Sequence, residues 1–289
     1  MKVSALETIS LLLAPVLVSG SPSQNVTQVS IDLLDANHIL HLLEVVDAYG
    51  HISVRNPDNE SQFIMSFAIA PASATSQTLV TYDISNATPL HLTFNESVVG
   101  EDIPPSFSER FIHSQIYAAQ PNVTSVIHSH TIEVLPFAAV GVGLRAQIGS
   151  AGSIGTLTNG TPIFDFNSVV PDDSDQLHDL FIRNPVLGDA LSRTFEDGSD
   201  IVLMKGHGMA VRASSIREVT FRAFYTKRSA IVQTQALLLG GSGILPGLTE
   251  KQATDARTTN EAPGTRDRAW DLWVRQVDQT PLYVNDLRG

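Results

Sequence analysis

The sequence predicts an α/β layered domain over residues 29–240, and three observations lead there. Helical and extended runs alternate along the chain, 43% of the 289 residues are hydrophobic, and no internal repeat or heptad run occurs. That length and apolar content suffice for one substantial core. Residues 1–20 read as a secretory leader, and residues 241–289 as a polar C-terminal extension.

In the leader, Lys2 supplies the positive start and residues 9–18 (ISLLLAPVLV) the apolar run. Val18-Ser19-Gly20 has the small residues of a cleavage site. The run is too short to span a bilayer, and Pro15 argues against a buried helix. Asn25, Asn59, Asn86, Asn95, Asn122 and Asn159 all lie in N-x-[ST] sequons. They are six of twelve asparagines, where chance gives roughly one in six, so a secreted, N-glycosylated chain is expected. The lack of cysteine counts against that expectation, since secreted proteins commonly use disulfides.

Residues 29–49 carry helical spacing, with Ile31, Leu34, Ile39, Leu42, Leu43 and Val46 on one face and Gly50 just past the end. Extended runs follow at 51–55 (HISVR), 62–69 (QFIMSFAI), 78–84 (TLVTYDI) and 90–94 (LHLTF), with Pro57-Asp58-Asn59 turning between the first two. A helix over 108–120 places Glu109 in its first turn and Pro121 beyond its end. A strand at 123–128, a short helix at 131–140 and a helix at 174–194, entered through Asp172-Asp173, come next. The apolar strand 200–205 (DIVLMK) ends on Gly206-His207-Gly208, and residues 209–212 continue extended. The longest helix spans 214–239, with Ser214 and Ser215 as caps and Glu218 near a capping-box position. One helix over 266–277 carries Trp270 and Trp273, which pack on a neighbouring copy, lid the site or, more simply, pack on their own subunit.

Composition excludes several function classes. Eighteen Lys+Arg against thirty Asp+Glu give a net charge of −12 with no basic cluster, which rules against nucleic acid. Without cysteine there are no disulfides, thiolate metal sites, iron–sulfur clusters or Cys nucleophiles. After the leader no run reaches 18 apolar residues, so no membrane span is expected.

Three of the nine histidines carry the chemistry. His128 and His130 end the strand VTSVIHSH, and a period of two points both imidazoles the same way. His207 follows a second apolar strand, with glycine on each side to turn the backbone and expose the ring. Three neutral imidazoles from two strand ends suit a divalent ion. An HxH pair or a GHG tripeptide alone is more often packed or surface histidine, and Glu109 alone is an ordinary first-turn charge.

In order, Ser108-Glu109-Arg110-Phe111-Ile112-His113, IYAAQPNVTSVIHSHT, LMKGHGMAV and FRAFYTKRSA resemble the class II aldolase/adducin superfamily over about residues 29–240. The resemblance implies a three-layer α/β/α fold whose central, mainly antiparallel sheet is flanked by helices. It also implies a divalent metal held by Glu109, His128, His130 and His207, and a homotetramer with sites between neighbouring subunits. Three histidines and a carboxylate suit zinc, manganese, iron or cobalt, and a secretory setting favours the first two. The superfamily includes sugar-phosphate aldolases, epimerases, aromatic decarboxylases, oxygenase-like members and non-enzymatic adducins. Retention of all four polar residues favours a working site over a scaffold.

Aldolase members bind substrate phosphate through a G-N-[IVL]-S loop, a T-[PA]-[ST]-G turn and small polar residues before the glutamate. Here those places read Gly50-His51-Ile52-Ser53, Ile64-Met65-Ser66-Phe67 and Phe107-Ser108, so donors for a phosphate are lost. The pattern GHISVR with KGHG is closest to a decarboxylase-like branch acting on hydroxylated aromatic or heteroaromatic acids. In that branch the His and Arg face substrate, here His51 and Arg55, which share a strand face. A packed His and a solvent-exposed Arg fit the residues equally well. Glu109 or His51 is the acid that protonates the product carbon. An aldol-type enzyme on an unphosphorylated carbonyl and a non-catalytic adducin-like binding protein are the alternatives.

Overall fold

The computed structural model describes residues 22–155, 160–195, 198–240 and 245–288. The expected leader and the sequon asparagine Asn159 lie outside the described residues. Helix α1 (Gln24–Leu42) enters through Ser23, whose hydroxyl accepts from the Val26 amide at 3.1 Å. Strands β1 (His51–Arg55), β2 (Gln62–Ser66), β3 (Leu79–Asp83), β4 (Pro89–Leu92) and β5 (Asn95–Val99) form an antiparallel meander. Then come α2 (Arg110–Ala119), β6 (Ser125–Ser129), α3 (Leu135–Ala139), β7 (Ile163–Phe164), α4 (Pro185–Arg193), β8 (Ile201–Met204) and β9 (Gly208–Ala213). Helices α5 (Ile216–Gly240), α6 (Glu250–Asn260) and α7 (Pro263–Asp278) follow.

The strands make one sheet in the order β5-β4-β3-β2-β1-β6-β9-β8-β7, parallel only between β7 and β8. Side chains alternate between its two faces. Ile52, Val54, Ile127, Ile201, Leu203 and Val211 pack with α1, α5 and α7 in one core. Phe63, Met65, Val126, Val202, Met204 and Ala210 pack with α2 and α4 in the other. This is the three-layer α/β/α arrangement with a mainly antiparallel sheet.

Several boundaries differ from the sequence reading. Helix α1 ends at Leu42, not at residue 49, because Glu44 takes a left-handed φ of 54° and turns Val45 and Val46 into the core. The buried Lys227 ammonium donates to the Leu43 and Glu44 carbonyls at 3.1 and 2.8 Å, closing that helix end. The helix expected over 174–194 is helical only from Pro185, with Asn184 as its cap. The residue before a proline disfavours the α region, so Asn184-Pro185 starts a helix and does not continue one. The polar tail holds two helices where one was expected. It packs on its own subunit, with Ala253, Trp270, Trp273 and Val277 in the core. Arg222 ties it down by pairing with Glu261 at 2.8 Å.

The tail's last turn leans on His38, whose ring stacks on Tyr283 and whose Nε2–H donates to the Ala74 carbonyl at 3.0 Å. Burial, opposed by that carbonyl and by Asp278 and reinforced by Arg288 and His41, pushes the imidazole down to about 4. Between pH 6.5 and about 4 the unfolded chain therefore binds more protons than the folded one. His38 costs nothing above pH 6.5, and its burial removes stability progressively as pH falls to about 4, by about 3 kcal/mol in all. His38→Gln, which keeps a donor for Ala74, should flatten urea-unfolding stability over that window. An unchanged acid slope would show that His38 does not set it.

Candidate metal centre

Register builds the site. Across the central strands His51 pairs with His128, and His128 pairs with Ala210. His51 and His128 therefore emerge side by side on the sheet face that α2 covers. His130 follows at the end of β6, and His207 sits in the turn between β8 and β9. Glu109 caps α2 from the same face.

The residues expected as metal ligands converge. His130 Nε2 lies 2.9 Å from His128 Nε2 and 3.1 Å from His207 Nε2. Glu109 Oε2 lies 3.4 Å from the Nε2 atoms of His128 and His207 and 4.0 Å from that of His130. All four ligand atoms fall within 4.8 Å of one another. Bonds of about 2.0–2.1 Å to a tetrahedral ion put ligand atoms roughly 3.4 Å apart, so the set fits a divalent cation. The protons agree. The Met209 carbonyl, 3.2 Å from His128 Nδ1, can only accept, so Nδ1 carries the hydrogen and Nε2 keeps its lone pair.

Electrostatics prepares the donors. Burial, reinforced by His128 and His207, pushes His130 down to about 4, leaving it neutral at ordinary pH. Burial works to raise the Glu109 carboxyl, but His128 and His207 outweigh it and hold the group far below the usual carboxylate range. The other oxygen, Oε1, accepts from the Ile182 amide at 3.1 Å. That amide comes from the stretch before Asn184 expected to be helical. In its irregular form the stretch reaches the site and lays Phe181 parallel to His207, with ring centroids 6.1 Å apart.

Above Glu109 and His130 opens a cleft of about 300 Å³, walled by Tyr49, His51, Ile69, Phe107, Ser108 and Phe181. Among the described residues lining it there is no Lys or Arg. His51 lines it, with Phe107 4.6 Å away ring to ring and Nδ1 held by His113 Nε2 at 2.7 Å. Burial, then His113 and His128, keeps its imidazole well below the usual histidine value.

Arg55 corrects the sequence reading. It shares the face of His51, but four residues along the strand carry it to the far end of α2. There its guanidinium donates to the carbonyls of Val123, Glu60, Tyr117 and Gln120, and it does not line the cleft. An arginine so committed to backbone acceptors is neither the substrate ligand nor the free surface charge that the sequence allowed.

Residues 31–234 match the family model described as the class II aldolase and adducin N-terminal domain. The chain belongs to this family. Among curated relatives, decarboxylase tropJ from Talaromyces stipitatus is 38% identical over 262 residues, covering 86% of this chain and 93% of that protein. The 3,4-dihydroxyphthalate decarboxylase of Arthrobacter keyseri is 23% identical over 133 residues, 45% of this chain and 48% of that one. Among solved structures, L-fuculose 1-phosphate aldolase from Glaciozyma antarctica PI12 superposes with a TM-score of 0.65 at 17% identity. It covers 89% of this chain and 92% of that one, which establishes the shared fold. This chain is thus a class II aldolase-family lyase with decarboxylases among its relatives, carrying a Glu/His cluster suited to a metal ion.

Proposed function

We propose that this protein is a divalent-metal-dependent decarboxylase of a hydroxylated aromatic or heteroaromatic carboxylic acid. The observation that carries the reading is the cleft, which sets aromatic walls without a lysine or arginine directly above the Glu/His cluster. A phosphorylated sugar would find no cationic cradle among those residues, whereas a planar aromatic acid finds Phe107, Phe181 and Tyr49. The likeness to decarboxylase tropJ, which extends over 86% of this chain and 93% of that one, supports the same choice.

Glu109, His128, His130 and His207 would hold the ion, zinc or manganese in the first instance, which when bound supplies Lewis-acid stabilisation of developing negative charge. The aromatic walls orient the ring and exclude water. When the bond between ring and carboxylate breaks, its electron pair stays on the ring carbon and CO2 departs. His51 then gives its Nε2 proton to that carbon and recovers one from water. Glu109 is the poorer acid of the two considered, because its carboxyl is held ionised and anchored to the Ile182 amide.

The test is CO2 release from a panel of hydroxybenzoates and hydroxylated heteroaromatic acids, run in D2O with zinc- or manganese-loaded protein. The expected result is metal-dependent CO2 with one deuterium in the product at the carbon that lost it. Turnover by metal-free protein would exclude the mechanism. Cleavage of an unphosphorylated aldol with no CO2 from any acid would favour the aldolase alternative.

Secretory entry and N-glycosylation belong to the same proposal. Asn25, Asn59, Asn86, Asn95 and Asn122 are all exposed, as a glycan requires. A homotetramer is likewise proposed, supported by the exposed apolar side chains of Tyr49 in the cleft wall and Ile132, two residues after His130 in the chain.

A further inference from the structure

His51 meets the cleft through Nε2, because Nδ1 is engaged by His113. The contacts continue inward. His113 Nδ1 lies 2.7 Å from Ser53 Oγ, which lies 2.7 Å from the Tyr117 hydroxyl. All three of these residues are at most 1% exposed. Beyond Tyr117 the one acceptor among the described residues is the Thr124 carbonyl, 3.5 Å away and already accepting from the Arg55 amide at 2.7 Å, while the Val126 amide can only donate to the Tyr117 oxygen.

Counting hydrogens along this row leaves two arrangements, because a Ser53 hydroxyl that accepted from both Tyr117 and His113 would have no acceptor for its own hydrogen among the described residues. Burial pushes His113 down to about 3, so it is neutral, with one N–H and one lone pair. In the first arrangement Tyr117 donates to Ser53, Ser53 to His113 Nδ1, and His113 Nε2–H to His51 Nδ1. His51 then carries its proton on Nε2, facing the cleft. In the second every bond reverses, His51 Nε2 is bare, and Tyr117 must donate across 3.5 Å to Thr124. A hydroxyl given so long a contact gains little, and the first arrangement is lower in energy.

We infer that His113 is a positioning residue, which holds His51 in its Nε2–H tautomer with that N–H directed into the cleft. It acts from behind His51 and does not line the cleft itself. Its consequence for turnover rests on the decarboxylase reading; the tautomer does not.

The experiment uses zinc-loaded protein labelled with 15N-histidine, with His51 assigned by its loss in His51→Gln. Long-range 1H–15N correlations should show His51 protonated at Nε2 in the wild type. In His113→Leu that preference should be lost while zinc content is kept, and kcat should fall on the order of 10- to 100-fold with KM little changed. His113→Gln, whose amide still donates to His51 Nδ1, should recover most of the rate. A wild-type His51 protonated at Nδ1 overturns the inference even if His113→Leu does not fold. So does a tautomer untouched by His113→Leu. If the tautomer shifts as expected but no acid is decarboxylated, His113 keeps this role and the substrate reading fails.

Discussion

His207→Ala should yield a folded protein that has lost its metal and its lyase turnover together. The substitution leaves Glu109, His128 and His130, three ligand atoms where four converge, and opens one side of the cluster to water. The lost Lewis-acid stabilisation is worth several kcal/mol, and about 4 kcal/mol corresponds to a 10³-fold fall in rate. Binding also stabilises the folded state. At a zinc concentration about 100-fold above its dissociation constant, the wild type gains roughly 2.7 kcal/mol, visible as a raised Tm. His207→Ala should show almost none of that rise. His178→Ala, which alters an exposed histidine outside the cluster, should behave as wild type. Elemental analysis and melting with and without zinc decide the matter before any substrate is known. A variant that keeps stoichiometric metal would mean that His207 does not ligate.

How far the sequence reached depends on which periodicity each residue obeyed. His128 and His130 were legible because a strand repeats every two residues, and the Nε2–Nε2 distance of 2.9 Å is that repeat made visible. Glu109 was not, since a carboxylate at a helix start is ordinary until another part of the chain is set opposite it. The family resemblance did that work. His113 went unread although a signal existed. Glu109, His113 and Tyr117 recur every four residues along α2, the helical repeat, opposite His51, Ser53 and Arg55 at the repeat of a strand. Two polar stripes of matching length predict a buried polar seam between helix and strand. Arg55 was misread for a related reason: alternation fixes the face of a side chain but says nothing of how far along it lies. The helix expected before residue 185 failed because Asn184-Pro185 starts a helix there, and the irregular stretch before it gives the Ile182 amide to Glu109. The edge strand β5, mostly exposed, had no buried face to betray it, whereas α6 went unread although a Thr249–Gln252 capping box marks its start.

The two glycines around His207 look equivalent in the sequence, and Gly208→Ala should show that they are not. Gly206 adopts a left-handed φ of 70°, and a Cβ there would meet only the flexible end of Leu180 at 3.3 Å. Replacing it with alanine should cost about 1–2 kcal/mol of backbone strain and leave the cluster intact. Gly208 begins β9 pressed against β6, and a Cβ there would stand 2.0 Å from the Ser129 carbonyl oxygen and 3.1 Å from His130 Cα. No side chain can swing aside, because both obstacles are backbone. Strand β9 must back away from β6 at the very rung between His128 and His130, moving His207 off the other ligands. Destabilisation of about 3 kcal/mol, at the upper end of overpacking, should accompany loss of metal. Chemical denaturation and zinc stoichiometry of the two variants check the ranking. If Gly208→Ala kept both its metal and the stability of Gly206→Ala, the close approach of the two strands would not be what brings His207 to His130.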